Sequence, residues 1–136
     1  MGKIIKLVIL TMILISVFTL PVLAETPGIR GPMVLIADDS KHTYLGQLTA
    51  NEYATDSVFN KYGLYGSKYA ENSTNNEYGV YGGKYSAYSP YNKYTSTPPL
   101  IVDADGDTVG TLSVNRYLPG AVSPYLVYDA LTRLGL

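Results

Sequence analysis

The sequence predicts a mainly β domain: a small antiparallel sheet from two duplicated hairpin arms, an irregular Tyr/Gly-rich repeat inserted between them, and a C-terminal helix. Three observations carry that expectation. Two segments of alike sequence, each an apolar run, an Asp-rich turn and an alternating run, flank a block whose pattern returns every 16 residues. A run of apolar residues at helical spacing then closes the chain.

The arms are placed at residues 34 to 53 and 100 to 117. Leu35 to Tyr53, LIADDSKHTYLGQLTANEY, matches Leu100 to Tyr117, LIVDADGDTVGTLSVNRY, after one residue is dropped. Gly46 then corresponds to Gly110, Leu48 to Leu112, Asn51 to Asn115 and Tyr53 to Tyr117, all 64 apart. A lone hairpin is marginal in water, so two arms pairing into one sheet is favoured over two independent hairpins joined by a disordered middle.

The block between them, residues 57 to 97, reads SVFNKYGLYGSKYAEN from Ser57, STNNEYGVYGGKYSAY from Ser73, and the truncated SPYNKYTSTPP from Ser89. Asn60, Asn76 and Asn92 fall in register, as do Tyr62, Tyr78 and Tyr94. Ser57, Ser73 and Ser89 suit N-caps, and Pro90 suits a first helical position. Gly63 and Gly79 are placed to end a single turn in the left-handed conformation. Short helical or tight turns, each followed by an extended Tyr-Gly-x-Lys-Tyr piece, are therefore expected. Between residues 60 and 97 the only large aliphatic side chains are Leu64 and Val80, so nine tyrosines from Tyr62 to Tyr94 must supply contact area.

The helix is expected over residues 123 to 135, with Ser123 as cap, Pro124 at the first position and Gly135 at the end. Leu126, Val127, Ala130, Leu131 and Leu134 form its apolar stripe, which is most simply packed on the sheet. A helix that meets a partner is the alternative.

The start of the chain has a different purpose. Residues 1 to 24, MGKIIKLVILTMILISVFTLPVLA, join a basic start to an apolar run and a Val-Leu-Ala site, the pattern of a signal peptide cleaved between Ala24 and Glu25. Cleavage leaves residues 25 to 136 as one small secreted domain without a membrane anchor. That remainder holds 8 basic and 11 acidic residues, a balance that lends no support to a polyanion-binding role for the domain as a whole. With no Cys, disulfides, thiolate metal sites and Cys nucleophiles are excluded by count.

Candidate chemistry is sparse. Asp103, Asp105 and Asp107 alternate around Gly106, a presentation compatible with calcium, but an Asp-Gly hairpin turn accounts for the run without any metal. No cofactor is expected, with calcium the one candidate. His42 is the only imidazole and lies in an expected turn, away from any nucleophile motif, so no catalytic residues are assigned. A ligand surface is expected on the repeat, comprising Tyr62, Tyr65, Tyr69, Tyr78, Tyr81 and Tyr85 with Asn60 and Asn76. Ring faces and amides suit sugars, although the same rings could instead form the core. Lys61-Tyr62, Lys68-Tyr69, Lys84-Tyr85 and Lys93-Tyr94 also resemble a single-strand nucleic-acid surface. Export and the acidic remainder argue against that partner.

Residues 44 to 117 resemble small exported bacterial proteins carrying tandem Asn-x-Tyr-Gly-x-Tyr-Gly-Ser-x-Tyr runs, flanked by Leu-Gly-x-Leu-Ser-x-Asn-x-Tyr segments. Asn60 to Tyr69, Asn76 to Tyr85, Leu45 to Tyr53 and Val109 to Tyr117 carry the likeness. That group is uncharacterised, so the resemblance implies a bacterial, exported setting and transfers no catalytic residue. The expectation is a non-enzymatic cell-envelope or extracellular module that binds polysaccharide or an envelope protein, or has a structural role. The alternatives are a small secreted hydrolase acting on glycan or peptide, and an inhibitor of such an enzyme.

Overall fold

A computed structural model describes residues 31 to 136; the leader and its cleavage point lie outside the described residues. The fold is mainly β, with one five-stranded sheet and one helix. The strands are β1 (Val34–Ile36), β2 (Tyr44–Gln47), β3 (Leu100–Val102), β4 (Thr108–Leu112) and β5 (Ala121–Val122), and helix α1 runs Pro124–Leu134. Their spatial order is β2-β1-β3-β4-β5.

The two arms pair as expected, through their first strands. Leu35 faces Ile101 in an antiparallel ladder, with Val34 opposite Val102 and Ile36 opposite Leu100. Each first strand also pairs with its own hairpin partner, Leu35 facing Gly46 and Ile101 facing Gly110, and each hairpin shifts register just after that pair. Leu35 is therefore equivalent to Ile101, and the second turn is shorter by two residues rather than the one dropped in aligning the sequences. The apolar run Leu100-Ile101-Val102 tolerates either alignment, and only the ladder selects between them.

The sheet is mixed, because β5 pairs with β4 in parallel, Thr111 facing Ala121. The first arm repeats this arrangement as an isolated parallel bridge between Gln47 and Ser57. Both links sit 64 residues apart, so the duplication extends past each hairpin into the chain that follows it.

The buried core gathers Leu35, Leu45, Ile101, Val109 and Leu112 from the sheet, Leu48 and Val58 from the chain after β2, and Val127 and Leu131 from α1. The helix starts and ends as its sequence dictates. Ser123 Oγ accepts from the Tyr125 amide, Pro124 occupies the first turn, and Gly135 closes the helix with φ 67°. Its buried side is narrower than the sequence stripe: Pro124, Val127 and Leu131 are covered, whereas Leu126 and Leu134 are exposed. Tyr128 faces the repeat instead, its ring meeting Phe59 edge-on at 5.2 Å and its hydroxyl lying 3.4 Å from Thr74 Oγ1. The helix thus leans on the repeat as well as on the core.

Residues 51 to 97 form a continuous cascade of turns. Backbone amides donate to carbonyls three residues back at 54, 57, 60 and 63, then four back at 67, and the same rhythm returns at 70 to 83 and at 86 to 95. Four steps of three and one of four make the 16-residue period. The anchor positions hold only Asn, Ser, Thr, Ala or Gly, all small, and the oxygens of Asn, Ser and Thr can accept from an amide two residues on. Asn60, Asn76 and Asn92 each accept from the amide of Tyr62, Tyr78 or Tyr94, and each donates through Nδ2 to the carbonyl six residues back, at 2.9 to 3.0 Å. Ser57, Ser73 and Ser89 cap their turns in the same way.

Two expectations for this block are corrected. The Tyr-Gly-x-Lys-Tyr pieces are not extended, because every third amide is drawn back into a turn. Gly63 and Gly79 do not adopt positive φ. The need shared by both curls is close approach: a Cβ on Gly66 would lie 2.1 Å from the Asn60 carbonyl oxygen, and one on Gly82 would lie 2.2 Å from that of Asn76.

Candidate functional site

Turn rhythm positions the tyrosines. In the first two units, anchors at 51, 60, 63, 67, 76 and 79 place Tyr53, Tyr62, Tyr65, Tyr69, Tyr78 and Tyr81 two residues later, and in the third unit Tyr85, Tyr88, Tyr91 and Tyr94 occupy the same place. Position within the unit then decides which way a ring faces. Tyr53, Tyr69 and Tyr85 follow the first anchor, Tyr62, Tyr78 and Tyr94 follow the fourth, and these six with Tyr117 of the second arm are 81% to 98% exposed. Single exposed aromatics are ordinary, but the same two positions left open in three successive units form a patterned surface.

Rings at the remaining positions turn inward. Tyr65 meets Tyr44 edge-on at 5.1 Å, and the Tyr81 hydroxyl donates to Asp39 Oδ2 at 2.8 Å. Tyr91 is half-buried beside Tyr125, with ring centroids 5.9 Å apart. Burial first, and then the neighbouring phenols of Tyr128 and Tyr125, push the Tyr91 hydroxyl well above its ordinary range. Of the expected ligand residues, Tyr62, Tyr69, Tyr78 and Tyr85 are therefore on the surface. Tyr65 and Tyr81 bind the cascade to the first arm, while Asn60 and Asn76 have both ends of their amides engaged in holding the turns.

Charge accompanies the exposed rings. Each is preceded by an ionisable residue: Glu52, Lys68, Lys84 and Arg116 before one set, Lys61, Glu77 and Lys93 before the other. Lys68 Nζ lies 5.2 Å from the Tyr69 centroid and Lys84 Nζ lies 5.4 Å from that of Tyr85, both within cation–π range. Between the second and third units and the start of α1 lies an open groove of about 1060 Å³, lined by Tyr78, Tyr85, Tyr91, Tyr125, Lys84 and Lys93. Tyr91 and Tyr125 were absent from the expected ligand set. The 16-residue register would have added Tyr53 and Tyr94, but no local signal brings Tyr125 of the helix to the repeat.

Of the three acidic candidates at the second hairpin, Asp103 holds the turn with its carboxylate. Asp103 is buried, and its Oδ1 accepts from the amides of Asp105 at 3.1 Å and Asp107 at 3.0 Å. Asp39 does the same in the first arm, accepting from the amides of Lys41 and Thr43, each at 3.1 Å. His42 then stands at φ 50°, 64 residues before Gly106 at φ 82°. Among the described residues no group of three His, Cys, Asp or Glu side chains is placed to hold a metal ion.

Burial alone would raise the Asp39 carboxyl, but hydrogen bonds from the Thr43 hydroxyl and amide, the Tyr81 hydroxyl and the Lys41 amide outweigh it and hold the group at about 2. Among the described residues, no helix is long and apolar enough to cross a membrane. No family model, curated protein or solved structure matches the chain.

Proposed function

We propose that the protein is an exported, non-enzymatic binding module that presents rows of tyrosines to an extracellular or cell-envelope polysaccharide. The observation that carries this reading is the recurrence of open tyrosines at two fixed positions of a rigid repeat, each with an ionisable neighbour. A phenol ring offers an apolar face for the C–H side of a sugar and a hydroxyl at its rim for hydrogen bonding. Backbone turns hold the ring-bearing positions at regular intervals, which favours a weak but repeated contact along a polymer. The basic, apolar segment at residues 1 to 24 supports the exported setting.

Affinity electrophoresis of the purified protein through gels containing cell-wall glycans tests the reading. Retardation by at least one glycan, relieved when Tyr62, Tyr69, Tyr78 and Tyr85 are replaced together by Ala, is the expected result. Unchanged mobility in every gel would remove polysaccharide from consideration.

A further inference from the structure

The groove between the repeat and α1 differs from the open rows in combining four rings with charged side chains. Tyr78 and Tyr85 come from the two exposed positions, and Tyr91 and Tyr125 form its half-buried and exposed tilted pair. Lys84 and Lys93 are the cations, while Glu77 is the single acid in the lining. The first turn of α1, which contributes Tyr125, carries no acidic residue. Net positive charge is therefore set into a protein surface that is acidic elsewhere.

We infer that this groove binds an acidic glycan strand, with pyranose rings against Tyr78, Tyr85 and Tyr125 and sugar carboxylates paired with Lys84 and Lys93. The inference rests on the polysaccharide-binding reading and narrows its ligand. The net positive lining selects acidic over neutral polymers. Two lysines beside one acid neutralise few backbone charges, so a strand held mainly by its phosphates, as nucleic acid is, gains little here. A uronate polymer adds to its carboxylates an apolar C–H face on every pyranose, which the phenol rings of the groove can meet. Glu77 is the one side chain of this lining that repels an anionic strand.

The test uses the full chain, expressed and purified as the host processes it, with polygalacturonate, a neutral galactan and single-stranded oligothymidylate as probes. Retention by polygalacturonate should exceed that by the galactan and weaken as salt rises. Lys84→Ala with Lys93→Ala should weaken it by about three- to tenfold, as should Tyr85→Ala, because each removes a partly desolvated contact. Glu77→Gln should strengthen it. These side chains, all exposed, can be replaced with the melting temperature as a check that the fold persists.

Equal retention by galactan and polygalacturonate would overturn the acidic-ligand inference while leaving the broader reading intact. No retention by either would overturn the inference, and the broader reading would fall with it only if mobility were also unchanged in every cell-wall glycan gel. Stronger retention by the oligonucleotide, or polygalacturonate binding indifferent to the lysine and Tyr85 replacements, would also overturn the proposed site.

Discussion

At the scale of single residues, the two hairpin turns are one solution executed with different side chains. Asp39 and Asp103 each cap amides two and four residues on, so the turn geometry is preserved although the second arm is two residues shorter. His42 occupies the left-handed position that Gly106 fills in the other arm, and a side chain there has a steric cost of about 1 kcal/mol. His42→Gly should raise the melting temperature, and Gly106→His should lower it; calorimetry on the pair reads both signs. Asp39 gives a second prediction. Because its folded pKa is depressed, its stabilising contribution is complete above the ordinary carboxylate value of 3.8 and is lost as pH falls towards about 2. Denaturant midpoints measured between pH 5 and pH 2 should drop over that lower interval, and Asp39→Asn should flatten the drop.

At the scale of elements, the cascade separates structural from surface positions within one motif. Gly82 has the Asn76 carbonyl against it, so Gly82→Ala must displace backbone and should cost about 3 kcal/mol. Tyr78, 92% exposed, should tolerate replacement by Ala within about 0.5 kcal/mol. Chemical denaturation of both variants checks the contrast, and comparable losses would mean that the exposed rings support the fold. The sequence made the repeat plain because turn chemistry is local: Asn, Ser and Gly recur wherever the chain must curl. It did not make plain that Asn51 to Asp56 already belong to the first unit, since those residues also match the second arm. The hydrogen bonds from 54 to 51, from 57 to 54 and from Asn60 Nδ2 to the Ala54 carbonyl join them to the cascade.

At the scale of the whole molecule, a short sheet, a turn cascade and one helix share a single small core. The cascade supplies Val58 to that core but no comparable aliphatic residue from its second and third units. Instead, side-chain amides tie unit to unit and cascade to arm: Asn75 Nδ2 of the second unit donates to the Val58 carbonyl of the first at 2.9 Å, and Asn115 Nδ2 of the second arm donates to that of Thr95 at 2.9 Å. Helix α1 completes the enclosure with Val127 and Leu131, and the Ala50 amide donates to the carbonyl of Leu136. Burying the two aliphatic side chains contributes about 3 to 6 kcal/mol, a large fraction of what holds a small domain folded. A chain ending at Ser123 should therefore lose its cooperative thermal transition, as followed by circular dichroism. Retention of a sharp transition would show that the sheet and cascade suffice.

The sequence by itself determined the duplicated arms, the 16-residue rhythm and the capped helix, because hairpin, turn and cap signals act over a few residues. Tertiary structure alone decided the two-residue difference between the arms, the parallel placement of β5 and the outward or inward facing of each tyrosine. All the repeat tyrosines lie two residues beyond an anchor, and although Glu77 precedes Tyr78 and Val80 precedes Tyr81, no local signal supplies the partner that fixes a ring's direction. What distinguishes them is distant in sequence: Asp39 and Thr43 of the first arm receive the Tyr81 hydroxyl, whereas the Tyr78 ring is left to solvent.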